Sequence, residues 1–171
     1  MSIKITKKIL IVALFYFTFG ALNAEENLKS VGKFKDWESF VLSQEGNKVC
    51  FAQSIPVVRA PKKLKRDSSR LFVSFRPAEN IKNEVSVTNG YDFKLKAPVT
   101  AKSGKKSYDL FSKGRFAWVV DNDDETKLIV TMKRASRLMI SGNTDKGDQT
   151  TDHYSMMGFT KAYNTAKKSC S

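Results

Sequence analysis

The sequence predicts a mainly β protein: an antiparallel β-sandwich or barrel-like single domain with a C-terminal α-helix. Three observations support this prediction. Apolar and polar residues alternate over several short stretches, which is the pattern of half-buried strands. Turn-rich breaks such as VTNGY and DNDDET separate these stretches at short intervals, as is typical of sandwiches and barrels. The end of the chain instead repeats apolar residues at helical spacing.

The beginning of the chain has the three-part order of a secretory signal peptide. Lys4, Lys7 and Lys8 precede an unbroken apolar run over residues 9–17, and the segment ends in small and polar residues up to Ala24. We expect cleavage after Ala24, so that residues 1–24 are the signal peptide and residues 25–171 form one β-rich periplasmic or secreted domain. The alternative is an uncleaved anchor, but the run is shorter than the roughly 20 residues of a membrane-spanning helix. The mature chain is therefore expected to have no transmembrane segment.

The first half of the domain contains four candidate strands. The stretches DWESFVL and KVCFAQS lie near the mature start, and RLFVSFR and YDFKLK follow them. Residues 88–90 are predicted to be a three-residue hairpin loop, because this register pairs Val87 with Tyr91 and keeps the apolar residues of both strands on one face. The expected inward sets are Leu71, Val73 and Phe75 in RLFVSFR, and Tyr91, Phe93 and Leu95 in YDFKLK.

Three further strands are predicted in the second half. They are RFAWVV, TKLIVTMK and RLMIS. Trp37 and Trp118 both occur in strand-like contexts, where a large aromatic side chain is usually in the core. Stacking on a sugar is the alternative role for these two residues. The expected inward sets are Phe116, Trp118 and Val120, then Leu128, Val130 and Met132, then Leu138 and Ile140.

The final segment, SMMGFTKAYNTAKKSC, is predicted to be a helix whose apolar stripe faces the core. Ser155 is the expected cap at its start. A membrane-binding amphipathic helix is the alternative, but a stripe that contains two alanines is thin for insertion into lipid. The stripe consists of Phe159, Ala162, Tyr163, Ala166 and Cys170.

The sequence contains two cysteines, Cys50 and Cys170, and both lie in the part expected to be exported. Oxidising compartments allow disulfides to persist, so we expect the two residues to be joined. This bond would attach the terminal helix to the body of the domain.

The chain is strongly basic, with a formal net charge of +13 that falls to +10 when the three lysines of the signal are removed. The densest positive segment, APKKLKR, makes Lys62, Lys63, Lys65 and Arg66 the candidate anion-binding residues. A solvated loop without a ligand is the alternative. Nucleic acid is not an expected partner of an exported protein.

No catalytic signature stands out. Asp152, His153, Tyr154 and Ser155 include the side-chain types of a hydrolase triad, but neighbouring residues on an extended segment point in opposite directions and do not converge. They are expected instead to form a turn and the start of the helix. The acidic stretch DNDDE lacks the glycine and spacing of a calcium loop and is interpreted as a solvated turn. Neither a metal nor a cofactor is expected.

Four blocks of the chain together resemble the invasion-associated locus B family of exported bacterial proteins. They are DWESFVLSQEGNKVCFAQSIP, LFVSFRPAENIKNEVSVTNGY, LFSKGRFAW and SGNTDKGDQTTDHYSMMGFTKAYNTAKKSC. The resemblance implies a small periplasmic or secreted domain of β character, and it supplies no catalytic residues. The leading hypothesis is thus a protein that is not an enzyme and that binds anionic envelope material or a protein partner. The alternatives are a periplasmic enzyme with a dispersed active site and a purely structural periplasmic protein.

Overall fold

The computed structural model of the chain describes residues 27–44 and 46–171. The predicted signal peptide, residues 1–24, lies outside them. The described part contains eleven strands, two α-helices and one short 3₁₀ turn, Pro77–Glu79, so the prediction of a mainly β protein with a C-terminal helix is confirmed. The strands are β1 (Asn27–Phe34), β2 (Trp37–Gln44), β3 (Asn47–Ser54), β4 (Val58–Ala60), β5 (Arg70–Arg76), β6 (Ile81–Thr88), β7 (Val99–Ser103), β8 (Lys106–Lys113), β9 (Phe116–Trp118), β10 (Arg137–Asn143) and β11 (Gln149–Ser155), and the helices are α1 (Asn122–Arg134) and α2 (Phe159–Ser169).

The strands form one antiparallel sheet in the order β1-β2-β3-β5-β6-β9-β8-β7-β10-β11-β4. Strand β8 connects its two halves, because residues 106–110 pair with β7 and residues 111–113 pair with β9. The inward residues of both halves and of both helices belong to one hydrophobic core. Among the described residues, neither helix covers the opposite face of the first half, from β2 to β9, and side chains on it such as Phe111 and Phe116 are exposed.

The C-terminal helix α2 packs on the inner face of the first half through the predicted stripe. Phe159, Ala162, Tyr163 and Ala166 are buried, and the Cys50–Cys170 disulfide is present, as predicted. The expected cap at Ser155 is wrong. Ser155 is the last residue of β11, paired with Arg137, and α2 begins only after Gly158, whose positive φ of 94° makes the turn between them.

Helix α1 corrects two predictions. The stretch TKLIVTMK lies in this helix and is not a strand. Leu128 and Met132, four residues apart, are buried together with Ile129, so the apolar side follows a helical rather than an alternating period. The acidic stretch before it is the start of the helix and not a solvated turn, because the Asp121 carboxylate accepts a hydrogen bond from the backbone N–H of Asp124 at 2.8 Å.

The predicted hairpin around residues 88–90 is also wrong. Strand β6 pairs with β9 and not with YDFKLK, which forms an irregular connection with one isolated bridge at Phe93. Leu95, expected to face the core, is 81% exposed. The chain turns away from the sheet at Gly90, whose carbonyl accepts a hydrogen bond from the N–H of Asp67 at 3.0 Å.

Candidate binding surface

The outer face of the first half of the sheet carries aromatic side chains, although the solvent face of an antiparallel sheet is ordinarily polar. In β3, Cys50 and Ala52 are fully buried, and Phe51 between them points outward. In β5, Leu71 and Val73 are fully buried, so the side chain of Phe72 between them also points outward. We call this surface the aromatic face; it comprises Phe40, Phe51, Phe72, Phe111, Phe116 and Trp118.

The aromatic face is ordered by pairing between strands. Phe40 and Phe51 are paired across β2 and β3 and stack with ring centroids 5.3 Å apart. Phe51 meets Phe72 edge-on at 6.0 Å, and Phe111 meets Trp118 edge-on at 5.3 Å. Edge-on and offset pairs of this kind are favourable arrangements of aromatic rings, so each ring is held in position by another.

A groove crosses this face because a small residue separates the Phe40–Phe51–Phe72 cluster from the Phe111–Trp118 pair. The pairing places Ser86 of β6 between Phe72 on β5 and Trp118 on β9. Two strand spacings separate these walls, which is about 10 Å. The groove has a volume of about 710 Å³ and also includes Phe51 and Phe116 in its lining. We call it the aromatic groove.

Charged side chains lie at the rim of the aromatic groove. Arg76 makes two hydrogen bonds to the carboxylate of Glu84, at 3.0 and 2.7 Å, and Lys113 belongs to the same lining. The hydrogen bond with Glu84 raises the pKa of Arg76 above its ordinary value, against the opposing effect of burial. The rim therefore offers fixed donors and acceptors beside the aromatic rings.

A second hollow adjoins the aromatic groove at Phe116, which lines both. We call it the arginine hollow; Arg59, Arg115 and Asp67 give it its charge. Arg115 donates to the Asp67 carboxylate at 2.5 Å, and Arg59 donates to the Asp67 backbone carbonyl at 2.5 Å. Arg115 is thus ion-paired, whereas Arg59 is bonded to a backbone carbonyl, and the Arg115 side chain is 47% exposed.

The loop between β4 and β5, residues 61–69, carries the predicted anion-binding residues. The side chains of Lys62, Lys63 and Lys65 are exposed. Arg66 differs from these lysines, because its side chain is only 2% exposed and forms a two-bonded ion pair with the fully buried Asp152. Arg66 is therefore a positioning residue that fixes the loop, and anion binding stays a prediction for the three lysines, which we call the lysine loop.

Further contacts hold this loop on the sheet. Arg66 donates to the backbone carbonyl of Asn89 at 2.9 Å and to the Ser69 hydroxyl at 3.2 Å. A shallow cavity lined by Lys62 and Arg59 joins the lysine loop to the arginine hollow. The lysine loop, the arginine hollow and the aromatic groove consequently adjoin one another in that order.

The two tryptophans have different environments. Trp37 is 1% exposed, as predicted for a core residue, and its ring N–H donates to the Ser155 carbonyl at 2.8 Å. The expected inward set of RFAWVV is wrong, because Ala117 and Val119 are buried while Phe116 is 48% exposed. Ala117 pairs with the buried Val87, and this register directs Trp118 outward.

One signal in the sequence could have identified the aromatic face. A disulfide between Cys50 and the inward stripe of the terminal helix requires Cys50 to face the core. Side chains alternate along a strand, so Phe51 must then point outward. The same argument does not extend to Phe116 and Trp118, whose orientation depends on pairing between β6 and β9.

The residues considered for catalysis lie in a regular strand or in the disulfide. Asp152, His153, Tyr154 and Ser155 lie in β11 rather than in a turn and helix start, and the Asp152 carboxylate is bound by Arg66. The sulfur of Cys50 is in the disulfide. Within residues 27–44 and 46–171, no three His, Cys, Asp or Glu side chains are grouped so as to hold a metal ion. Over the same residues, no helix is both long enough and apolar enough to span a bilayer.

Comparison with known proteins identifies the fold. No protein-family model matches the chain, and no curated protein matches it. Among solved structures, the crystal structure of invasion associated protein B from Bartonella henselae is similar, with a TM-score of 0.56 and 14% identity over 80% of this chain and 94% of that chain. At this identity the likeness shows a shared fold, and it is the β-rich fold that the resemblance in the sequence implies.

Proposed function

We propose that the chain is an exported binding protein of the invasion-associated locus B type, which attaches to anionic envelope material and does not act by catalysis. One observation carries this proposal: the exposed lysine loop adjoins the arginine hollow, which in turn adjoins the aromatic groove, since neighbouring hollows share Arg59 and Phe116 in their linings. The shared fold with invasion associated protein B is consistent with it.

The disulfide supports export. Cys50 and Cys170 are joined across a sequence separation of 120 residues, and such bonds persist in the periplasm and outside the cell but are rare in the reducing cytosol. The bond also fixes α2 against the inner face of β3. This contact stabilises the strand whose outer residues line the groove.

The charge distribution supports an anionic ligand. Lys62, Lys63 and Lys65 are exposed, and each lysine near an anionic surface contributes about 1 kcal/mol at physiological ionic strength. The three lysines together would then contribute about 3 kcal/mol, or about a hundredfold in affinity. Because the lysines are exposed, salt will screen this attraction.

The test is sedimentation of the mature protein with vesicles of phosphatidylglycerol and phosphatidylcholine, and with isolated peptidoglycan sacculi, over a range of salt concentrations. The variant K62Q/K63Q/K65Q should bind up to about 100-fold more weakly and with a flatter salt dependence. The control K102Q/K105Q/K168Q removes the same charge from exposed lysines elsewhere and should bind almost as well as wild type. Equal losses in both variants, or no binding of wild type, would contradict the proposal.

A further inference from the structure

We propose that the aromatic groove binds an acidic oligosaccharide, with a pyranose ring stacked on Trp118 and Phe116 and a sugar carboxylate bound by Arg115. This inference rests on the proposed function and names the class of ligand that the adjoining groove takes. It is carried by the junction at Phe116, where aromatic rings meet two guanidinium groups, those of Arg59 and Arg115, of which Arg115 is ion-paired with Asp67.

The walls of the groove suit the face of a sugar ring. The C–H bonds on one face of a pyranose are weakly positive, whereas the face of an aromatic ring is negative. Trp118 is half-buried and braced by Phe111 at an interplanar angle of 69°, so stacking on it requires little ordering of the side chain. Aromatic side chains supply a large contact area at low entropic cost.

Polar groups beside the rings suit the hydroxyls of the same sugar. Ser74 and Ser86 line the groove, together with the ion-paired Arg76 and Glu84. Sites for small ligands usually combine apolar walls with a few placed polar groups in a volume of about 300–1,000 Å³. The groove, at about 710 Å³, is within this range.

The arginine hollow supplies the preference for a carboxylate. A guanidinium has five N–H donors in a planar fork that matches a carboxylate, and the described bond from Arg115 goes to Asp67. The Nε atom of Arg59 is buried without a hydrogen-bond partner among the described residues. Asp67 holds both arginines in place. Arg66, which also lines the hollow, is neutralised by Asp152, so the hollow keeps an excess of one positive charge.

The width of the groove favours one narrow chain over a broad protein surface. Its walls lie about 10 Å apart, whereas a stable interface with a folded protein buries about 800 Å² on each partner. An extended acidic peptide could also fit this width. We therefore include such a peptide as a competing ligand in the test.

Calorimetry and tryptophan fluorescence together test the inference on the mature protein. The probes are tetragalacturonate, its fully methyl-esterified form and hexaglutamate. The chain contains two tryptophans, and Trp37 is buried, so a change in emission on binding reports Trp118. Tetragalacturonate should change the emission of wild type but not of W118F, which retains a stacking ring.

Three variants give the expected affinities. Tetragalacturonate should bind about tenfold more weakly to W118A and to R115Q. The methyl ester should bind wild type about tenfold more weakly than the acid does, and R115Q should lose this difference. R137Q changes an exposed arginine in the other half of the sheet and should bind as wild type. Because W118F keeps an aromatic ring and R115Q changes a half-exposed side chain, the test does not depend on whether W118A folds.

Each other result overturns the inference. Equal affinity for the acid and its ester would exclude the role of Arg115. Tighter binding of hexaglutamate than of tetragalacturonate would make the groove a peptide site, and unchanged binding by W118A would exclude stacking. The vesicle and sacculus experiment with K62Q/K63Q/K65Q is read separately, because these lysines lie outside the groove. Failure of the sugar test alone leaves envelope binding standing, and failure of the vesicle test alone leaves the sugar site standing.

Discussion

Among changes of only a few atoms, the removal of the Asp152 charge should destabilise the domain most. Its carboxylate is fully buried and accepts two hydrogen bonds from the Arg66 guanidinium. The bond from Arg66 Nη1 to Asp152 Oδ2 measures 2.8 Å. In the variant D152N the shape is retained, but Arg66 remains positively charged with a side chain only 2% exposed. The amide presents one acceptor and also a donor, so it cannot replace the two-oxygen acceptor of the carboxylate.

The size of the effect follows from burial. Breaking a buried ion pair by removing one partner costs about 3–5 kcal/mol, because the remaining charge is uncompensated. The double variant R66M/D152L removes both charges and should be more stable than D152N, although it carries more changes. It should remain less stable than wild type, because the Asn89 carbonyl loses its bond to Arg66, a loss of about 1–3 kcal/mol.

Urea denaturation at neutral pH, followed by circular dichroism, measures these free energies of unfolding. The matched control is D67N, which removes the same charge from an ion pair whose side chains are 74% and 47% exposed. This control should lose much less stability than D152N, because solvent screens an exposed pair. If D152N lost no more than D67N, or if the double variant were less stable than D152N, the buried pair would not be the anchor of the loop and the reasoning would be refuted.

Two further predictions concern the core. Replacing both Cys50 and Cys170 by alanine opens a closed loop with a sequence separation of 120 and should lower the free energy of unfolding by about 5 kcal/mol in the chain-entropy model; a loss below about 1 kcal/mol in urea denaturation would contradict it. Burial raises the pKa of Glu125, despite the hydrogen bond that it accepts from the N–H of Val85 at 2.7 Å. Its folded state therefore holds the proton more tightly than the unfolded state, and this contribution falls as pH rises from the unfolded pKa through the folded one. E125Q keeps the acceptor without the charge, so it should melt at a higher temperature than wild type at neutral pH and converge with it in acid; parallel melting profiles over pH would exclude this explanation.

Regular alternation was sufficient to predict those strands whose inner face is in the core. RLFVSFR and RLMIS became β5 and β10, with Leu71, Val73, Leu138 and Ile140 fully buried. TKLIVTMK fits two periods at once, since Leu128 and Met132 are separated by four residues. The cap at Asp121 distinguishes the helix from a strand, and the interpretation of DNDDE as a turn concealed this signal.

The candidate surface was only partly predictable. The exposed lysines were evident from composition alone, since clustered lysine side chains are almost never buried without a partner of opposite charge. The pairing of Arg66 with Asp152 joins residues 86 positions apart, and no local pattern indicates it. The prediction of YDFKLK as a strand was wrong for a related reason. Its alternation is regular, but β9 occupies the edge of β6 with which YDFKLK was expected to pair, so Leu95 does not lie on the inner face of a sheet.

The two faces of β3 have different roles: residues on the inner face stabilise the fold, and residues on the outer face line the proposed binding groove. Effects of a substitution on stability and on binding can therefore be measured separately. Cys50 and Ala52 face the core and hold α2, while Phe51 between them faces the aromatic groove. Substitutions on the inner face remove buried contacts, so they should lower the stability of the domain rather than directly change its affinity for a ligand. Substitutions of half-exposed outer residues such as Trp118 lose far less buried area. An unchanged unfolding free energy combined with weakened sugar binding in W118A or R115Q would thus locate the effect in the groove, because the fold that holds the groove is secured from the other side of the same strands.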